Sequence, residues 1–333
     1  MADPSALPTI ADIRAAADRL AGHAVLTPLL RSPALDARTG GTILLKAEAL
    51  QRTGSFKFRG AFNRMVQIDE AGRAKGVVAW SSGNHAQGVA AAAALLKMPA
   101  VIVMPSDAPA IKIANTRAYG AEVVLYDRVK EDREHVGRAI AAARGAVIVP
   151  PFDDADIVAG QGTAGLELMA QAKALGLAVD DVIAPASGGG LIAGVGLAVR
   201  AARREARIFA AEPEGYDDHR RSLQAGERVT NTRTSVALCD ALLAPAPGAL
   251  TWGINAHSLY GAYAVSDDAV RAAVRFAFTQ LKLVLEPSGA IALAAVLSGT
   301  HDARGRVVGV VLSGGNVDAE TFTDIVAATA RES

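Results

Sequence analysis

A single cysteine, Cys239, is all the thiol chemistry that the 333 residues contain. It excludes an internal disulfide and a multi-cysteine metal centre, and a reducing cytoplasm is the expected compartment. An excess of charge of one sign is also missing: 34 Lys and Arg balance 34 Asp and Glu. No basic surplus is left to neutralise a phosphate backbone, so nucleic acid is not an expected partner. Aromatic residues make up 5% of the chain against 51% apolar residues in all, a composition unlike that of a disordered chain or a β-sandwich. The start, Met1-Ala2-Asp3-Pro4, lacks the basic segment and apolar stretch of a secretory leader. The longest uncharged apolar stretch, residues 182–199, is broken by Pro185 and by Gly188-Gly189-Gly190. It reads as a strand, a glycine loop and a helix rather than a membrane span. The six histidines lack the spacing of a metal motif.

What is present is alanine, valine and 32 glycines in a regular alternation. From residue 76 onward, short β-branched runs alternate with longer Ala-rich segments, the pattern of βα units that build a parallel sheet. The runs are residues 77–80, 101–104, 122–126, 147–149, 181–185, 207–211 and 307–312, and segments 86–96 and 156–174 have the length and Ala/Leu content of helices. At roughly 150 residues per domain the length suits two domains or one large one. Pro150-Pro151 marks a crossing between them. Residues 70–153 then form a small unit inserted between the two parts of a large domain, 1–69 and 154–333.

Four segments carry chemistry, and three of them follow predicted strands, where open α/β sheets place ligands. In Gly54-Ser55-Phe56-Lys57-Phe58-Arg59-Gly60-Ala61, Lys57 lies between two aromatic residues. A lysine desolvated in this way loses its proton near neutral pH and attacks carbonyls; an ordinary surface lysine reads the same in isolation. Ser81-Ser82-Gly83-Asn84-His85-Ala86-Gln87-Gly88 suits a carboxylate at a helix start, or a plain N-cap by Ser82 or Asn84. Ser187-Gly188-Gly189-Gly190-Leu191 suits a phosphate. It lacks the ending of a nucleoside-triphosphate loop and the spacing of a dinucleotide loop. Leu312-Ser313-Gly314-Gly315-Asn316 follows the last run, with Glu286-Pro287-Ser288-Gly289-Ala290 before it. Turns would account for each of these singly, but not for the set.

In this order and spacing the motifs resemble the fold-type II pyridoxal-phosphate enzymes, in the branch of serine/threonine dehydratases, serine racemases and hydroxyaspartate dehydratases. The resemblance runs from Thr27-Pro28-Leu29 to Ser313-Gly314-Gly315-Asn316. It implies an α/β architecture of two open parallel-sheet domains, like tryptophan synthase β. It further implies that Lys57 forms the Schiff base with pyridoxal 5'-phosphate and that Phe56 packs against the cofactor. Ser187, Gly188, Gly189, Gly190 and Leu191 would bind the phosphate, although many relatives begin that loop with glycine. Asn84 would contact the ring hydroxyl and Ser313 the pyridine nitrogen, with Glu286 nearby. Because a neutral serine cannot hold that nitrogen protonated as a carboxylate would, elimination is favoured.

The activity so implied is dehydration of a β-hydroxy amino acid (serine, threonine or 3-hydroxyaspartate) to a 2-oxo acid and ammonia, with Lys57 removing the α-proton. The substrate carboxylate is expected at Ser81, Ser82, Gly83, Asn84 and His85. Racemisation is the alternative: Ser82 matches the opposite-face acid of racemases, and the same serine occurs in hydroxyaspartate dehydratases. A non-catalytic ligand-binding protein on this fold is a third reading, against which Lys57 stands. Arg133, in Asp132-Arg133-Glu134-His135, matches an arginine near the substrate in racemase-like relatives and suits a distal carboxylate. A solvated helix-face charge explains it equally well. Cys239-Asp240 stands where many relatives have Ala-Asp, so the pocket floor is expected to differ. Glu212-Pro213-Glu214-Gly215-Tyr216-Asp217-Asp218 matches the family's metal loop, implying Mg2+ or Ca2+ held by Glu212, the Tyr216 carbonyl and Asp218. The plain reading is a solvated acidic turn. A cytoplasmic homodimer acting on a small amino acid is expected.

Overall fold

Runs of valine, isoleucine and alanine pair into two sheets in the computed structural model, which describes residues 7–81, 83–108, 110–232 and 237–327. The strands are β1 (Leu29–Leu30), β2 (Thr42–Lys46), β3 (Val77–Trp80), β4 (Ala100–Pro105), β5 (Glu122–Tyr126), β6 (Val147–Ile148), β7 (Asp181–Pro185), β8 (Arg207–Pro213), β9 (Gly261–Val265) and β10 (Val307–Val311). A six-stranded sheet has the order β1-β2-β10-β7-β8-β9, and a four-stranded sheet the order β5-β4-β3-β6. Every pairing is parallel except that of β1 with β2. Strands β3, β4 and β7 are buried at every residue, as parallel strands covered on both faces must be. The four-stranded sheet draws only on residues 77–148, all within the segment 70–153.

All seven strand runs read from the sequence are strands, and segments 86–96 and 156–174 lie in the helices Asn84–Leu96 and Ala155–Ala174. Strands β1, β2 and β9 were not foreseen. Two of them precede the alternation that begins at residue 76. The third, Gly-Ala-Tyr-Ala-Val, has one β-branched residue in five and little strand signal of its own.

The helix Ala155–Ala174 brings the functional helices together. Glycine lets the backbones approach closely: a Cβ at Gly60 would lie 2.9 Å from the Ile157 carbonyl oxygen, and one at Gly160 2.7 Å from that of Arg59. A Cβ at Gly162 would come within 2.9 Å of the Gly194 carbonyl oxygen. The helices Lys57–Val66 and Gly190–Ala202 therefore dock on one support. Ion pairs of the fully buried Arg59 and Lys46, with the buried Glu48 and the partly exposed Glu167, lock the first of these helices. Arg59 Nε meets Glu48 at 2.7 Å and Arg59 Nη1 meets Glu167 at 2.6 Å, while Lys46 at the end of β2 meets Glu167 at 2.6 Å. Desolvation would raise the Glu48 carboxyl, but the Arg59 charge and its hydrogen bonds prevail and hold it below the ordinary value.

Candidate active site

A cavity of about 280 Å³ lies against residues of both sheet units, and Lys57 lines it together with Phe56. Lys57 opens the helix Lys57–Val66. Its Nζ donates to the Pro151 carbonyl oxygen at 2.7 Å and stands 5.2 Å from the centre of the Phe56 ring. Desolvation is the cause that lowers this amine to about 8, so a useful fraction is an unprotonated nucleophile near neutral pH.

Ser187, Gly188, Gly189, Gly190 and Leu191 line the same cavity. Gly189 has φ 92° and caps the helix Gly190–Ala202. The Gly188 carbonyl accepts from the Gly248 N–H and the Thr251 hydroxyl, and the Gly189 carbonyl from the Ala193 N–H and Asn255 Nδ2. By contrast, the N–H groups of Gly188, Gly189, Gly190 and Leu191 donate to no described residue. Unpaired donors at the positive end of a helix form an anion cradle. Side chains are excluded from it, since a Cβ at Gly188 would collide with the Phe152 ring.

Ser81, Gly83, Asn84 and His85 line the cavity at the start of the helix Asn84–Leu96; Ser82 lies outside the described residues. The Ser81 hydroxyl accepts from the Gly83 N–H at 3.2 Å. His85 Nε2 is 2.9 Å from the Val149 carbonyl oxygen, which can only accept, so Nε2 carries the ring proton. Burial first, then the Lys57 charge, push the imidazole down to about 3, so the ring is neutral. The ring is thereby spent on Val149, and only the backbone N–H of His85 is left to offer an anion.

Asn84 Nδ2 donates to Glu286 at 2.6 Å, and Asn84 Oδ1 accepts from Asn316 Nδ2 at 2.8 Å. Burial, and then the Asp240 charge, raise the Glu286 carboxyl to about 7 against the pull of Asn84. Ser313 is buried on the cavity wall, and its carbonyl accepts from the Phe56 N–H at 3.1 Å. The segment after β10 is thereby tied to the lysine segment.

Arg133 opens the helix Arg133–Arg144 and lines the cavity with Lys112 and Arg128. Arg128 pairs with Asp107 at 2.7 Å and Lys112 with Asp240 at 3.1 Å. Arg133 has no ion pair with any described residue. Sequence reasoning missed Lys112, Arg128, Phe152 and the Pro151 carbonyl. The first three sit in no motif, and a backbone carbonyl leaves no mark in a sequence.

In the acidic loop after β8, Glu212, Asp217 and Asp218 are buried, whereas Glu214 is exposed. Ligand atoms of Glu212, Asp218 and His219 lie within 4.8 Å of one another, all three residues being buried. Glu212 accepts from the His219 N–H at 2.8 Å, from His219 Nδ1 at 3.1 Å and from the Arg220 N–H at 3.0 Å. Asp218 accepts from Asn231 at 2.8 Å through Oδ1, while its buried Oδ2 has no hydrogen-bond partner and lies 3.8 Å from His219 Nδ1. Burial, and then the Glu212 charge, push Asp218 up to about 7. Tyr216 is buried in the same turn. His219 was not among the foreseen residues, although it adjoins Asp218 in the chain.

A family model described as pyridoxal-phosphate dependent enzyme matches residues 20–314. The chain belongs to this family. The L-threo-3-hydroxyaspartate ammonia-lyase of Pseudomonas sp is 44% identical to it over 315 residues, 95% of this chain and 97% of that protein. A solved threonine deaminase from T.th. matches with a TM-score of 0.88 at 45% identity, over 93% of this chain and 99% of that one. Maize serine racemase matches with a TM-score of 0.90 at 38% identity, over 98% of each chain. The fold-type II architecture expected from the motifs is the architecture of these neighbours. Pyridoxal 5'-phosphate is the cofactor of the family, and the residues here fit it: a desolvated amine stands in one cavity with a glycine loop of N–H donors that are unpaired among the described residues.

Proposed function

We propose that this pyridoxal-phosphate dependent enzyme is an ammonia-lyase of β-hydroxy amino acids, with 3-hydroxyaspartate, the substrate in the Pseudomonas relative's name, as its substrate. The observation that carries the choice is Arg133, a cavity-lining cation without an ion pair among the described residues. Serine and threonine have no second anion to offer it, whereas 3-hydroxyaspartate does.

In this reading Lys57 would anchor the cofactor, residues 187–191 would hold its phosphate, Ser313 would meet its ring nitrogen, and Asn84 with Glu286 would meet its ring hydroxyl. When bound, the cofactor supplies an electron sink for charge left at the substrate Cα. The N–H groups at the start of the helix Asn84–Leu96 hold the α-carboxylate. Once the substrate amine has displaced it, Lys57 would take the proton from Cα, a proton would pass to the β-hydroxyl so that it leaves as water, and hydrolysis would give the 2-oxo acid and ammonia. The likeness to maize serine racemase supports a second reading, racemisation, for which Ser82 would be the opposite-face acid.

The test is a panel of serine, threonine and 3-hydroxyaspartate stereoisomers, assayed for oxo acid and for inverted amino acid. We expect oxo acid chiefly from one 3-hydroxyaspartate isomer. Turnover of serine or threonine alone would overturn the substrate, and inversion outrunning elimination would favour the racemase.

The proposal includes Mg2+ or Ca2+ at Glu212, the Tyr216 carbonyl and Asp218, supported by the buried Oδ2 of Asp218, which makes no hydrogen bond. It also includes a homodimer and a cytoplasmic location, which sedimentation and cell fractionation would check.

A further inference from the structure

His219 lies outside the cavity, yet its ring touches both the acidic loop and the support of the phosphate loop. Its Nδ1 is 3.1 Å from Glu212 Oε1, its Nε2 is 3.2 Å from Asn255 Nδ2, and that same Nδ2 is 3.3 Å from the Gly189 carbonyl oxygen. Chemistry fixes the protons along this line. The Gly189 carbonyl only accepts, so the Asn255 atom facing it is the amide nitrogen. An amide nitrogen has no lone pair to give, so His219 Nε2 is the acceptor and the ring proton sits on Nδ1, donated to Glu212. This places His219 behind Glu212 rather than on an ion.

Glu212, His219 and Asn255 are each fully buried, so water does not compete for these bonds. The line also ends on a position that admits no side chain. A Cβ at Gly189 would stand 2.6 Å from Asn255 Nδ2 and 2.7 Å from His219 Nε2.

We infer that His219 is a positioning residue that carries the state of the 212–218 loop to the phosphate loop through Asn255. The inference rests on reading that loop as a cation site and residues 187–191 as the phosphate cradle. With a cation in place, the Glu212 and Asp218 carboxylates sit together without repulsion, and Glu212 holds the His219 ring. The ring orients the Asn255 amide, which keeps the Gly189 carbonyl turned to its own partner and leaves the loop N–H groups for phosphate. Without the cation the two carboxylates repel each other, the line slackens, and the cradle loses its fixed shape. Linkage then requires that cation and cofactor strengthen each other's binding equally.

The experiment measures the pyridoxal 5'-phosphate dissociation constant of the apoenzyme with saturating Ca2+ and after exhaustive chelation. Calorimetry with Ca2+ alone and the phosphorus resonance of the bound cofactor accompany it. For the wild type we expect Ca2+ to tighten the cofactor about five- to tenfold, and chelation to shift the phosphorus resonance. His219→Leu and Asn255→Ala should each weaken the cofactor and abolish its response to Ca2+, while calorimetry still detects the ion. If His219→Leu does not fold, Asn255→Ala tests the far end of the same line. A wild type that binds Ca2+ without any change in cofactor affinity overturns the linkage and leaves the cation site standing. Absence of Ca2+ binding removes the cation site and the linkage together. A response of wild-type size in either variant overturns the role of His219.

Discussion

Burial strips water from the Lys57 amine and brings it down to about 8, outweighing the Pro151 carbonyl oxygen and the Phe56 ring, which both favour the charged form. The neutral fraction rises with pH and levels off once pH passes that value. Cofactor uptake by the apoenzyme, followed by its absorbance, should therefore climb through about pH 8 and be flat by about pH 10; a climb continuing toward about 10.4 would mean an ordinary solvated lysine. Lys57→Ala should lose the borohydride-sensitive visible band and all turnover, with thermal unfolding of the apoprotein nearly unchanged. Arg133→Ala removes a cation that pairs with nothing else described. Loss of a charge-assisted hydrogen bond is about 1.5–3 kcal/mol, so kcat/KM for 3-hydroxyaspartate should fall roughly ten- to a hundredfold while that for serine hardly moves. Equal losses on both substrates would assign Arg133 to general stability. Residue types at 57 and 187–191 were legible in the sequence because Lys and Gly announce their chemistry. The neutral, Val149-bound ring of His85 was not, because it depends on a partner 64 residues away.

Among the elements, the helix Ala155–Ala174 matters most, since it presents glycine to the helices Lys57–Val66 and Gly190–Ala202, two of those whose N-termini line the cavity. A methyl at Gly194 would run into the Val158 carbonyl oxygen. Gly194→Ala should accordingly destabilise by about 1–3 kcal/mol in urea unfolding and weaken the cofactor, because the cradle rides on the displaced helix. Arg59 works from within the lysine helix. Arg59→Met strands the Glu48 carboxylate in a fully buried site, and breaking such a pair costs about 3–5 kcal/mol. Adding Glu48→Gln should recover part of the loss, a result readable in the same unfolding experiment. Strand positions followed from β-branched runs. Strand β9 escaped because its place beside β8 supplies what its own residues lack.

For the molecule as a whole, the cavity exists only where the two sheet units meet, so cofactor binding should report on their union. At a hundredfold excess over its dissociation constant the cofactor should add about 2.7 kcal/mol to stability; an unchanged melting temperature on adding it would show that the folded and unfolded chains bind it alike. Sequence alone determined the alternation of strands and helices, the seven strand runs, and which residues bring amine, glycine and acid chemistry. Those follow from local periodicity and side-chain type, which need no partner to be read. Tertiary structure alone decided which groups are spent and which are free. Lys112 is spent on Asp240 across 128 residues of chain while Arg133 is left open. Asp218 is buried beside Glu212 instead of solvated, and His219 comes to face Asn255. Desolvation and long-range pairing are properties of neighbours in space, and a linear order of residues carries neither.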